Sequence, residues 1–148
     1  MELKVKFVDL GLQFKALKGE LMLRIADALE SGDYILGSEA KEFEIEFAKY
    51  CGCKYAIGVA NGTDALFLVM KALGIGAGDE VITAPNSFIA TAGAIIAAGA
   101  NPVFVDVCDD YNINSDLVEG AVTRKTKAII PVHLAGRPAN MKPLLEIA

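Results

Sequence analysis

Val59-Ala60-Asn61-Gly62-Thr63-Asp64-Ala65-Leu66 is the stretch on which the fold turns. An apolar run, Tyr55 to Ala60, reads as a strand, and an apolar-periodic helix follows at once over 64–73. Such a short turn gathers backbone N–H groups that have no intrahelical acceptor at the positive end of a helix dipole. That point suits an anion, most often a phosphate. The plain alternative is an ordinary strand-to-helix turn, with Asn-Gly for backbone shape and Thr63 or Asp64 as helix cap. Asp64 repels a phosphate unless its carboxylate points away.

The alternation continues downstream. A strand over 80–84 ends at Pro85 and a helix follows over 88–98. A strand over 102–107 leads into the polar stretch Asp109 to Asn114, where Asn114 or Ser115 caps a helix over 116–122. A strand over 127–132 ends at His133, and a last helix starts near Asn140. Short, nearly continuous apolar strands between helices predict an α/β fold, a parallel-rich sheet with helices on both faces. Upstream, Phe14, Leu17, Leu21, Ile25, Ala28 and Leu29 share one face of a helix over 14–30, which ends at Ser31-Gly32. Residues 33–37 form a loop, and Ser38 reads as the N-cap of the next helix, with Glu39 and Glu42 in its first turn. The organisation expected is an N-terminal helix and loop over 1–37, then a partial α/β domain over 38–148 whose last helix is still running at Ala148.

Hydrophobic residues make up 53% of the 148 and charged residues 22%, with a mean hydropathy of +0.40. That richness predicts apolar surface buried against another chain or a further part of this one. No apolar run reaches the roughly 18–20 residues of a membrane span. The charged segment Met1 to Asp9 lacks a secretory core, so a cytoplasmic protein is expected. A net charge of −5, with no basic cluster denser than Arg124-Lys125-Lys127, is a poor footprint for nucleic acid. Cys51, Cys53 and Cys108 have no zinc spacing and read as free thiols, with a redox role for the Cys51/Cys53 pair as the alternative.

Ligands of open parallel sheets bind beyond the carboxyl ends of the strands. Three such ends carry distinctive residues: Asn61-Gly62-Thr63-Asp64, Pro85-Asn86-Ser87-Phe88 and Val132-His133. They face one crevice if their strands are neighbours, which the sequence leaves open. The amides of Gly62 and Thr63 are candidates for a phosphate. Phe88 either stacks on a flat ring or packs in the core. His133, the single histidine, either moves a proton or holds structure. Tyr34 either touches a ligand or a partner chain, or packs. Asp106, Asp109 and Asp110 read as a solvated loop, with a metal cluster as the alternative.

Over most of its length the chain resembles the N-terminal part of the DegT/StrS sugar aminotransferases, pyridoxal-phosphate enzymes of aspartate-aminotransferase fold. The matching segments include Ser31-Gly32-Asp33-Tyr34-Ile35-Leu36-Gly37, Ala60-Asn61-Gly62-Thr63-Asp64-Ala65-Leu66, Gly78-Asp79-Glu80-Val81-Ile82 and Pro85-Asn86-Ser87-Phe88-Ile89-Ala90-Thr91. They continue through Gly99-Ala100-Asn101-Pro102-Val103-Phe104-Val105-Asp106, Tyr111-Asn112-Ile113-Asn114 and Pro131-Val132-His133-Leu134-Ala135-Gly136. The resemblance implies transfer of an amino group, from glutamate, to a keto sugar linked to a nucleotide, in a homodimer. It implies that Gly62 and Thr63 hold the cofactor phosphate and Phe88 stacks on the pyridine ring. It places His133 at the edge of the active site, and the Tyr34 loop near the partner's site. Ser87 stands where many relatives have Thr.

Two expected groups lie outside this match. The aspartate that pairs with the pyridine nitrogen and the Schiff-base lysine both belong to segments beyond the helix at Asn140, and none of the eleven lysines here fits the lysine motif. The 148 residues alone are therefore expected to be inactive as a transaminase. The other readings are a non-catalytic module that senses a ligand or pairs with a chain, and a phosphate-binding α/β domain of another family.

Overall fold

The computed structural model describes residues 5–148, in two compact units that part between Gly58 and Val59. In the first unit, helix α1 (Leu10–Ser31) starts earlier than the apolar stripe suggests. The Asp9 carboxylate accepts the Leu12 N–H at 3.0 Å and caps it, and Gly32 ends it in a left-handed conformation. Its apolar stripe is open: no residue of α1 is buried. Helix α2 (Ser38–Cys51) does not use Ser38 as its N-cap. Gly37 holds that position, and the Asp33 carboxylate accepts the Ser38 N–H at 3.3 Å. A Cβ on Gly37 would stand 2.5 Å from the Asp33 carbonyl oxygen, so this close turn requires glycine. On α2, Phe43 stacks on Phe47 at 5.5 Å and Phe47 on Tyr50 at 6.3 Å.

The junction between the two units brings a correction. Residues 55–60, expected as a strand, form none. Apolar character makes a strand only where a neighbour completes its ladder. Here the Gly58 N–H donates to the Glu44 carboxylate instead, and Tyr55 and Ile57 are exposed. The sheet is built from β1 (Glu80–Thr83), β2 (Asn101–Phe104) and β3 (Thr126–Ile130) in the order β2-β1-β3, all parallel. The expected strand over 102–107 stops early, since beyond Phe104 only an isolated bridge joins Val107 to Ile113.

Side chains alternate across this sheet as strand geometry demands. Val81, Ala128 and Ile130 face helices α3 (Gly62–Ala72) and α4 (Ala90–Ala98), in one cluster with Met70, Ile75, Ala94 and Ile95. Ile82, Val103 and Ile129 face helices α5 (Ser115–Ala121) and α6 (Met141–Ile147), in a second cluster with Val118 and Leu144. The expected α/β architecture, parallel strands with helices on both faces, is what the chain adopts. Val81, Ile82 and Thr83 of the central strand are fully buried. Gly99 ends α4 at φ 92 with the Ala77 N–H 3.4 Å from where a Cβ would stand, so the chain can turn closely into β2.

Candidate functional site

Thr83 pairs in register with Phe104 on one side and Ile130 on the other, so all three strands leave the sheet on one edge. Pro85–Phe88 and Pro131–His133 therefore leave it side by side, which the sequence could not decide. Thr83 strengthens this edge: its buried Oγ1 donates to the Ile130 carbonyl at 2.9 Å. Helix α3 starts at the same edge. Lys71 Nζ, near its C-terminus, donates to the Ala98 carbonyl at the end of α4 at 3.2 Å. The two helices pack along their lengths and finish together, so they also start together, at the end where α4 leaves β1.

At the leading end of α3 the amides divide cleanly. Asn61 Oδ1 accepts the Asp64 N–H at 3.0 Å, and the Asn61 carbonyl accepts the Ala65 N–H at 3.0 Å. The cap is thus Asn61, not Thr63 or Asp64. Among the described residues nothing accepts from the N–H groups of Gly62 and Thr63. Both residues are exposed, and a Cβ built on Gly62 meets nothing within 4 Å. Two open amides at the positive end of an eleven-residue helix are an arrangement that suits an anion.

Phe88 is 78% exposed and stands outside both clusters of buried residues. Ser87 Oγ sits within 3.4 Å of the Phe88 carbonyl. Asn86, two residues before Phe88, donates from Nδ2 to the Tyr111 carbonyl at 2.9 Å. His133 is exposed and its Nδ1 accepts the Ala139 N–H at 3.0 Å, which sets that nitrogen as an acceptor and holds the loop leading into α6. Tyr34 lies in the first unit, where its hydroxyl donates to the Leu29 carbonyl at 2.9 Å.

The residue that pattern reading missed is Asn112, which is 3% exposed. Its Oδ1 accepts the Leu134 N–H at 3.2 Å. Its Nδ2 lies 3.3 Å from the carbonyl of Arg137 and 3.3 Å from Asp110 Oδ2. The Asn112 backbone N–H, and then its side-chain amide, hold the Asp110 carboxyl below the ordinary carboxylate range, helped by Arg137 at 3.2 Å. Asp106 Oδ1 accepts the Val107 N–H at 2.8 Å. The acidic stretch is an internally bonded loop. Cys51, Cys53 and Cys108 are exposed and in no disulfide. Among the described residues no helix is long and apolar enough to cross a membrane.

Fold and edge together define an α/β protein with two open helix amides and an exposed aromatic at one edge of its sheet. Residues 15–148 match the DegT/DnrJ/EryC1/StrS aminotransferase family, and the chain belongs to it. It is 46% identical to a pleiotropic regulatory protein of Geobacillus stearothermophilus over 99% of this chain and 40% of that protein. It is 46% identical to the dTDP-3-amino-3,4,6-trideoxy-alpha-D-glucose transaminase of Streptomyces venezuelae, over 98% of this chain and 38% of the enzyme. Among solved structures, S. venezuelae DesV in complex with a ketimine intermediate superposes with a TM-score of 0.96 at 45% identity, covering 99% of this chain and 40% of that one. Bacillus subtilis NtdA with bound cofactor PMP gives 0.94 at 34%, covering 100% and 35%. The chain thus spans about 40% of the length of the curated relatives it matches. Membership sets aside the reading of a phosphate-binding domain from another family.

Proposed function

We propose that these residues form the cofactor-phosphate and ring-stacking part of a pyridoxal-phosphate aminotransferase that acts on nucleotide-linked keto sugars. The observation that carries this reading is the pair of open amides at Gly62 and Thr63, on the same sheet edge as the exposed Phe88. The transaminase relatives supply the substrate class, and the PMP-bound relative supplies the cofactor. Pyridoxal phosphate, when bound, supplies the carbonyl that carries an amino group from donor to acceptor. The residues of this chain do the holding. Gly62 and Thr63 donate to the phosphate, and Asn61 keeps the helix end ordered. Phe88 lies on the ring face and excludes water. His133, with Nδ1 engaged by Ala139, keeps only Nε2 for work at the rim.

Glutamate is the proposed amino donor, and the working form is proposed to be a cytoplasmic homodimer in which the Tyr34 loop approaches the partner's site. The reactive lysine and the aspartate that pairs with the pyridine nitrogen are proposed to come from outside residues 1–148. On that reading the 148-residue chain with added cofactor does not turn over glutamate, and detectable turnover would contradict it.

The direct test is cofactor binding by the full polypeptide that carries these residues. Phe88→Ala is expected to raise the dissociation constant for pyridoxal 5'-phosphate about tenfold, in line with the worth of an aromatic stack. Inorganic phosphate should bind this variant as before. An unchanged cofactor affinity would sink the stacking role. The Geobacillus relative, named a regulatory protein, favours one second reading: a ligand-sensing member of the family. The two separate on glutamate. An enzyme converts it in a half-reaction with bound cofactor, and a sensor binds without consuming it.

A further inference from the structure

Outside the anion seat, the densest polar construction in the second unit lies on the loops that follow β1, β2 and β3. Two non-glycine residues there have left-handed backbones, Tyr111 at φ 65 and Ala135 at φ 52. L-residues adopt this conformation at a cost, and it persists only where the surroundings over-determine it. The same side chain stands at both. Asn112 follows Tyr111 directly. Its Oδ1 accepts from Leu134, just before Ala135, and its Nδ2 donates to the carbonyl of Arg137, just after Gly136. Asn112 therefore brackets the turn at Ala135.

The peptide unit between Tyr111 and Asn112 is pinned at both ends. Its N–H donates to Asp110 Oδ1 at 3.1 Å, and its carbonyl accepts from Asn86 Nδ2 at 2.9 Å. Rotating this peptide breaks both bonds at once. Asn86 belongs to the loop that presents Phe88, and Phe88 itself is packed against little, being 78% exposed. Asn86 ties that loop to Tyr111, and the Phe88 carbonyl, which accepts the Thr91 N–H at 3.0 Å, ties it to α4.

We propose that Asn112 is the positioning residue of this edge, holding the two left-handed turns so that the Tyr111 carbonyl fixes Asn86 and, through it, the loop bearing Phe88. The role in cofactor binding rests on the function proposed above; the mechanical link does not. Among the described residues Asn112 makes no hydrogen bond to α3, so it acts on the ring contact and not on the phosphate seat.

The link is tested by amide hydrogen exchange on the full polypeptide without cofactor. The Thr91 amide, bonded to the Phe88 carbonyl, reports the order of the loop bearing Phe88. Asn112→Ala should speed exchange about tenfold at Thr91 and at the bonded amides of Leu134, Gly136, Arg137 and Ala139, the scale set by losing one or two net hydrogen bonds. Amides inside β1 and the later turns of α4 should stay as protected as before. In an Asn86→Ala background, Asn112→Ala should add nothing at Thr91. Asn86→Ala alone, at an exposed site that does not threaten folding, should speed exchange at Thr91. Unchanged exchange at Thr91 in either single variant overturns the proposal. So do independent, additive effects, and so does a uniform rise through β1 and α4, which would mark a merely structural asparagine.

Cofactor binding separates this inference from the function it builds on. Asn112→Ala should weaken pyridoxal 5'-phosphate about tenfold and leave inorganic phosphate unchanged. If Phe88→Ala weakens the cofactor and Asn112→Ala does not, the positioning role is wrong and the cofactor reading stands. If Phe88→Ala has no effect, the cofactor reading fails, and the exchange data still judge Asn112.

Discussion

Asn61 Oδ1 accepts the backbone N–H of Asp64 at 3.0 Å, and this one bond sorts the leading amides of α3. It occupies the third and leaves the first two, of Gly62 and Thr63, facing outward. The Asp64 amide is turned to the cap, so the seat proposed for an anion comprises the two residues before it.

Gly62 is free of backbone demands: its φ is not left-handed, and an added Cβ meets nothing within 4 Å. Gly62→Ala should fold as well as the parent, with stability unchanged or raised by up to about 1 kcal/mol. Gly62→Val should weaken inorganic phosphate and pyridoxal 5'-phosphate alike, by about tenfold or more, because its bulk intrudes on the seat. Isothermal titration of both ligands, beside a thermal melt, checks this. Equal affinities in Gly62→Val and the parent would remove the seat from this turn.

Asn61→Ala removes a cap and should lower stability by about 1 kcal/mol. It also sets the Asp64 N–H loose. Denaturant unfolding should show a lower midpoint with an unchanged slope. Asn61→Asp keeps an acceptor there and should restore most of the stability while weakening phosphate binding, since it places a second negative charge at the anion seat. Restoration of both stability and affinity would show that the seat lies elsewhere.

Thr83 is fully buried in the central strand and its hydroxyl is spent on the Ile130 carbonyl. Thr83→Val keeps the volume and removes the donor, and should cost about 1–2 kcal/mol. The loss should show as faster exchange of the β3 amides. A valine variant as stable as the parent would mean the bond contributes nothing net.

Asp110 ties pH to the order of the edge. Its carboxyl is held below the ordinary range by the Asn112 N–H and side chain and by Arg137, so the folded form favours the carboxylate. A depressed carboxyl contributes stability above its unfolded value, about pH 4, and that contribution is lost as pH falls through the folded value. Exchange at residues 110–114 and 134–139, corrected for its intrinsic pH dependence, should therefore accelerate on acidification below about pH 4. Asp110→Asn should remove that acceleration and show the looser loop already at neutral pH. A parent protein with no acid-dependent step in these segments would count against the pinning of Asp110.

Local signals carried most of the secondary structure. Val81-Ile82-Thr83 and Ala128-Ile129-Ile130 are apolar on both faces because helices cover both, and that reads directly as parallel strands. Gly32, Gly52 and Gly99 ended helices as left-handed residues do. The reading failed at Tyr55–Ala60, where apolar alternation is necessary for a strand and pairing is not encoded locally. It was one residue off at Ser38, because the group serving that helix end is Asp33, five positions back.

The arrangement proposed as an anion seat was legible because everything it needs lies within five residues: a cap, two open amides and a helix. Chain chemistry alone determined it, along with the family and the alternation of strand and helix. Its setting was not legible. Strand order placed the loops of Phe88 and His133 side by side, and hydrogen bonds over separations of 22 and 25 residues made Asn112 a latch. No window of sequence shows such partners to each other. Only closure of the sheet brings Tyr111, Ala135 and Asn86 within reach, and burial then makes every donor and acceptor of Asn112 count.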